Sequence, residues 1–105
     1  MKKIVTTNEY NGLLSTPGKH VIKVSAEWCN PCKVLASNIE ELPEDLKKFF
    51  VEIDADESEE TLIELLKVRN IPTLIFYNNG IEYKRVNGVK TVEELTNLLN
   101  DTQSS

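Results

Sequence analysis

Residues 20–33 read His20-Val21-Ile22-Lys23-Val24-Ser25-Ala26-Glu27-Trp28-Cys29-Asn30-Pro31-Cys32-Lys33. The run from His20 to Ala26 is short, mostly apolar and rich in valine and isoleucine, the pattern of a buried central strand. The five residues Trp28-Cys29-Asn30-Pro31-Cys32 hold both cysteines and the single tryptophan of the chain. Two thiols separated by two residues can close a small ring as a disulfide and open it again, and Pro31 stiffens that ring. An amphipathic segment follows. The pair therefore falls where a strand turns into a helix, and a helix N-terminus favours a thiolate. The stretch reads as a dithiol–disulfide redox centre.

Two other uses of the pair fit less well. A disulfide closing so small a ring removes little chain entropy, so it is a weak staple. A structural zinc site wants four ligands, and the chain has one histidine and no further cysteine. His20 is expected to be a strand-end residue and Glu27 a solvated loop charge.

The chain has 105 residues and is expected to form one domain, 1–105, of ordinary globular composition, 40% hydrophobic and 28% charged. A formal net charge of −5 argues against nucleic acid or an anionic membrane surface as a partner. The apolar runs are too short to cross a bilayer, and the start turns polar at Thr6 where a signal peptide would continue apolar. A cytoplasmic location is expected, and in a reducing compartment two cysteines at this spacing point to catalysis or metal.

Further along, roughly residues 2–5 suggest a first strand, and Thr6-Thr7-Asn8-Glu9 offers a capping box for a helix to residue 15. After the central strand a helix should start near Pro31, turn Val34, Leu35 and Ile39 inward, and stop at Pro43. Phe49 to Asp54 reads as a second central strand. Ser58 caps a helix with Leu62, Ile63, Leu65 and Leu66 as its stripe. Thr73 to Tyr77 and Ile81 to Val86 form a hairpin about Asn78-Asn79-Gly80. Thr91 caps a last helix carrying Val92, Leu95, Leu98 and Leu99, and the polar tail Asp101 to Ser105 is expected to fray. The order β-α-β-α-β-α-β-β-α implies parallel strands first, an antiparallel hairpin at the edge, and a mixed α/β sheet with helices on both faces.

That order resembles the thioredoxin family over about residues 2–100. The residues that carry the resemblance are Ala26-Glu27-Trp28-Cys29, Pro31-Cys32-Lys33, Ile71-Pro72-Thr73, Asn79-Gly80 and Gly88. It implies a thioredoxin fold with about five strands. It also implies a protein-disulfide reductase in which Cys29 is the exposed attacking thiol and Cys32 the buried resolving thiol. Pro72 would be a cis-proline facing the disulfide. Trp28, Asn30, Pro31, Ile71, Pro72 and Gly88 would line the groove that takes the substrate chain. Client disulfides and an NADPH-dependent thioredoxin reductase are the implied partners. No tightly held cofactor and no metal are expected, and the protein is expected to be a monomer. A glutaredoxin-like or disulfide-donor oxidoreductase is the nearest alternative activity. A binding module with incidental redox cycling is the alternative from another class.

The chain departs from the family pattern in three places. Asn30 stands where glycine is common. Ser37 stands where a kinking proline is frequent, and the segment to the next strand is short. Most important, Lys23 occupies the position of a buried aspartate in many members, and Phe50 that of its lysine partner. Two readings of Lys23 follow. Its stem could pack inside while its amine reaches water. Alternatively it lies beneath Cys32 and sets that thiol's ionisation, as a neutral amine taking the proton or as a cation holding the thiolate. Glu52 shares the strand face of Phe50 and could pair with Lys23.

Overall fold

The computed structural model describes residues 1–100, so the tail expected to fray lies outside the described residues. The elements are β1 (Lys2–Lys3), α1 (Thr7–Ser15), β2 (Lys19–Ser25), α2 (Asn30–Glu40), α3 (Glu44–Lys47), β3 (Phe50–Asp54), α4 (Glu60–Leu66), β4 (Thr73–Asn78), β5 (Ile81–Asn87) and α5 (Val92–Asn100). They form the α/β fold expected from the sequence, a five-stranded mixed sheet in the order β1-β3-β2-β4-β5. β3 runs parallel to both β1 and β2, whereas β4 is antiparallel to β2 and β5.

Alternation along the two central strands divides the core between the sheet's faces. Ile22, Val24, Ile75 and Tyr77 pack under α1 and α4 with Tyr10, Leu62 and Leu66. Val21, Leu74 and Phe76 pack under α2 and α5 with Leu35, Ile39, Leu95 and Leu99. Lys23 and Ser25 follow Val21 by two and four residues, so period 2 puts them on the α2 face as well. The buried stripe of α2 is Cys32, Leu35 and Ile39. Val34, expected inward, sits one residue off that stripe and is exposed, as is Leu65 of α4.

Three local expectations are corrected. Pro43 does not end the long helix: α2 stops at Glu40, and Pro43 is the N-cap of the short α3, with Glu44 and Asp45 in its first turn and Lys47 in its last. Proline followed by acids is itself a helix-start signal. Ser58 does not cap α4, whose N-cap is Glu59. The Ser58 hydroxyl instead donates to the Ile4 carbonyl at 3.3 Å. The first strand is limited to two residues. The other two caps form as expected: Thr6 and Glu9 make a reciprocal capping box on α1, and Thr91 and Glu94 do the same at α5.

The hairpin turn requires its glycine. Gly80 has φ +82°, and an added Cβ would lie 2.6 Å from the Leu14 backbone oxygen. Gly80→Ala is therefore expected to destabilise by about 2–3 kcal/mol, from left-handed strain plus a backbone clash. Gly12→Ala is the control, since Gly12 lies within α1 and a Cβ there meets open space. It should stabilise by about 0.5–1 kcal/mol. Urea denaturation midpoints of the two variants check both signs.

Candidate active site

The strand-to-helix turn places the two cysteines. Cys29 is the N-cap of α2 with extended backbone angles, and its Sγ accepts the Cys32 backbone N–H at 3.2 Å. Proline is tolerated in the first helical turn because the amide it lacks has no intrahelical partner. Cys29 Sγ thus takes the place a serine or aspartate oxygen usually fills at a cap, in the field of the helix N-terminus. Cys29 and Cys32 are joined as a disulfide with Cα atoms 5.3 Å apart.

Burial corrects one expectation. Cys29 is only 5% exposed and Cys32 2%, so in the disulfide state both residues are buried. They pack together with Ala26 and the half-buried Ile71.

Ile71 brings the loop before β4 against the pair. The Ile71–Pro72 bond is cis, and the buried Pro72 carbonyl accepts the Gly88 N–H at 2.9 Å. Asn87 Nδ2 donates to Thr73 Oγ1 at 2.7 Å, and that hydroxyl donates to the Asn70 carbonyl. The loop before β4 is thereby laced to the end of β5. Trp28 is 70% exposed, and its indole N–H donates to Asp56 Oδ2 at 2.8 Å. Asn30, Pro31 and Lys33 are exposed on the first turn of α2. His20 is at the far end of β2, its Nε2 3.1 Å from the Thr16 carbonyl oxygen. Glu27 is exposed.

Lys23 is buried at 2% exposure. Parallel register sets it beside Glu52 on β3, and its ammonium donates to Glu52 Oε2 at 2.9 Å. The Ser25 hydroxyl donates to the same oxygen at 2.8 Å. Burial pushes the Glu52 carboxyl up, but the bonds from Lys23 and Ser25 and the charges of Lys23 and Lys3 outweigh it. The group ionises below the usual carboxylate range. Phe50 is buried in the core under α2. Lys23, Ser25, Glu52 and Cys32 all line one cleft of about 200 Å³.

Sequence reasoning did not assign roles to Ser25, Asp56, Asn70, Thr73 or Asn87. Each acts through a partner 3 to 28 residues away, and nothing in local periodicity marks such a pairing. Among the described residues, no group of three or more His, Cys, Asp or Glu side chains is placed to hold a metal ion, and no helix is long and apolar enough to cross a membrane.

Residues 1–101 match the family model described as Thioredoxin. The thioredoxin of Mycoplasmoides gallisepticum is 39% identical over 100 residues, covering 94% of this chain and 99% of that one. The thioredoxin of Chlamydia pneumoniae is 36% identical over 101 residues, covering 95% and 97%. Among solved structures, Plasmodium falciparum thioredoxin superposes with a TM-score of 0.85 at 26% identity, covering 97% of this chain and 99% of that one. Mitochondrial thioredoxin 3 of Saccharomyces cerevisiae, in its oxidised form, gives 0.85 at 25% identity, covering 96% and 94%.

Proposed function

The chain belongs to the thioredoxin family and is a thiol-disulfide oxidoreductase, and from that premise we propose how its own residues reduce a protein disulfide. The observation that carries the reading is a cysteine pair at the N-terminus of α2, where one sulfur is itself the cap. Once the pair is reduced, the same field that places Cys29 Sγ at the cap favours its anion. Cys29 is the nucleophile. Its thiolate attacks a client sulfur, the client S–S bond breaks, and one client thiolate leaves. Cys32 is the resolving thiol. Its thiolate attacks Cys29 Sγ, the Cys29–Cys32 bond forms, and the second client sulfur departs. Two electrons pass to the client, and proximity makes the second step unimolecular.

Trp28, Asn30, Pro31, Ile71, Pro72 and Gly88 bind the client chain. The exposed indole supplies flat amphipathic area, held in place by Asp56. Lys23 modulates the pKa of Cys32 as a cation, which its ion pair with Glu52 favours over a neutral amine. Regeneration falls to an NADPH-dependent thioredoxin reductase. The chain works as one domain and a monomer in the cytoplasm, with no cofactor of its own.

The test is reduction of insulin disulfides with NADPH and a thioredoxin reductase, together with a redox titration of the Cys29/Cys32 couple against glutathione. A turbidity rise that depends on both cysteines and a reducing potential are expected; a strongly oxidising couple would instead make the protein a disulfide donor. Trp28→Ala should raise KM for insulin about tenfold, the scale of one lost aromatic contact. Its reaction with a small aromatic disulfide should stay within about twofold. An equal loss on both substrates would place Trp28 outside client binding.

A further inference from the structure

We propose that Glu52 is the proton acceptor for Cys32 in the resolving step, and that Lys23 and Ser25 are positioning residues that hold it there. This rests on the thiol-exchange reading above. Cys32 is 2% exposed, yet only its thiolate can attack Cys29. Burial in apolar surroundings works against that anion. Its proton must go to a group that shares its space, and the cleft it lines limits the choice.

Six ionisable side chains from five parts of the chain line that cleft: Lys3 of β1, Lys23 of β2, Glu27 of the following loop, Lys33 of α2, and Glu52 and Asp54 of β3. Lys3, Lys23 and Lys33 are cations with no lone pair to offer. The Lys23 ammonium is committed to Glu52, and that of Lys3 to Glu57 at 3.1 Å. Asp54 is tied to the turn after β3, its Oδ1 accepting the backbone amides of Asp56 and Glu57 at 2.8 and 3.1 Å, whereas Glu52 is held by side chains of the cleft itself. Glu27 is exposed. Glu52 is half-buried on the strand face that looks at α2, and its Oε2 is aimed by Lys23 and Ser25. Its pKa, held below the usual carboxylate range, leaves it ionised at neutral pH, and its place in the cleft makes it the acceptor. A cleft of about 200 Å³ has room for water to bridge any remaining gap.

The charges also balance. Before transfer the cluster holds a lysine cation, a glutamate anion and a neutral thiol. Afterwards it holds the same cation, a neutral carboxylic acid and a thiolate. The site never acquires a net charge, and the Lys23 ammonium lines the same cleft as the new anion. The Cys32 thiolate then forms the bond to Cys29 Sγ, and the Cys29–client bond breaks. The electron pair leaves on the client sulfur, which takes up a proton from Glu52 or water.

Reaction of the reduced protein with Ellman's reagent separates the steps, because Cys29 attack releases the first thionitrobenzoate and Cys32 resolution the second. Glu52→Gln keeps a hydrogen-bonding oxygen but is a far poorer proton acceptor. Its first release should stay within about twofold of wild type. Its second should slow about a hundredfold at pH 7 and climb with pH where wild type is flatter. Glu52→Asp should recover part of the loss. A second phase with the wild-type rate and pH profile in Glu52→Gln overturns the proposal. So does equal slowing in both variants with an unchanged profile, which would mean a packing role. If Glu52→Gln does not fold, the Cys29→Ser protein labelled with carbon-13 at glutamate carboxyls decides instead. The Glu52 carboxyl signal should inflect at the Cys32 titration, and its absence overturns the proposal. Failure of the first release in the wild-type protein would remove thiol exchange itself, a separate result.

Discussion

Replacing Cys29 with serine should lower the turnover of a protein disulfide by about a thousandfold or more, and replacing Cys32 should stop the reaction after one half-cycle. The two losses differ in kind. A serine hydroxyl does not ionise near neutrality, so the helix N-terminus that favours a Cys29 thiolate has nothing to act on. The nucleophile is then absent, and loss of a group that works as part of a unit reaches this scale. Cys32→Ser leaves the first attack intact. The client stays bound to Cys29 as a mixed disulfide, and one client thiol is released per protein. Mass spectrometry of the quenched reaction should find the adduct on Cys29 in Cys32→Ser and no adduct in Cys29→Ser. Repeated turnover by Cys32→Ser at the wild-type rate would exclude the resolving role.

The second large effect is on stability, and its asymmetry is the point. The side chains of Lys23 and Glu52 are 3% and 23% exposed. Glu52→Leu leaves a buried ammonium without its anion, the costly way to break a buried pair, and should destabilise by about 3 kcal/mol. Lys23→Met leaves a carboxylate that still reaches water and accepts from Ser25, and should cost about 1 kcal/mol. Against a total of about 5–15 kcal/mol the first is a large fraction. Urea denaturation at pH 7 checks the order, and equal costs would refute it. The pH dependence has a definite sign. The Glu52 carboxyl ionises lower in the folded state than in the unfolded one. Its stabilisation is full above the ordinary carboxylate range and is lost as pH falls through the lowered folded value. The gap between wild type and Glu52→Leu should therefore narrow in acid below the ordinary range.

Much of the fold was legible because its signals are local. The valine-rich run ending at Ala26, the capping boxes at Thr6 and Thr91, and the Asn79-Gly80 turn each depend on a few consecutive residues. Each formed within a residue or two of where it was expected. The misses have local causes too. A proline beyond a long helix signals a stop, but Pro43, followed by Glu44 and Asp45, starts a helix. Val34 and Leu65 were placed in apolar stripes by residue type, although they sit beside the buried spacing.

The site was legible only in part. The chemistry of Cys29 and Cys32 follows from their spacing and from the strand-to-helix turn that carries them. Their shared burial does not, because it depends on Ile71 arriving from a distant loop to cover them.

What the sequence by itself determined is thus a thioredoxin-type α/β chain with a redox dithiol at one helix N-terminus. Periodicity and turn chemistry are encoded over a few residues, and so survive without tertiary information. Only the tertiary structure decided what Lys23 does. The sequence left it either reaching water or lying beneath Cys32. Parallel pairing of β2 with β3 sets it against Glu52, 29 positions away, and the packing of α2 over that face puts both around the cleft of Cys32. Strand register fixes which charges meet, and a lysine's charge means little until its partner and its burial are known.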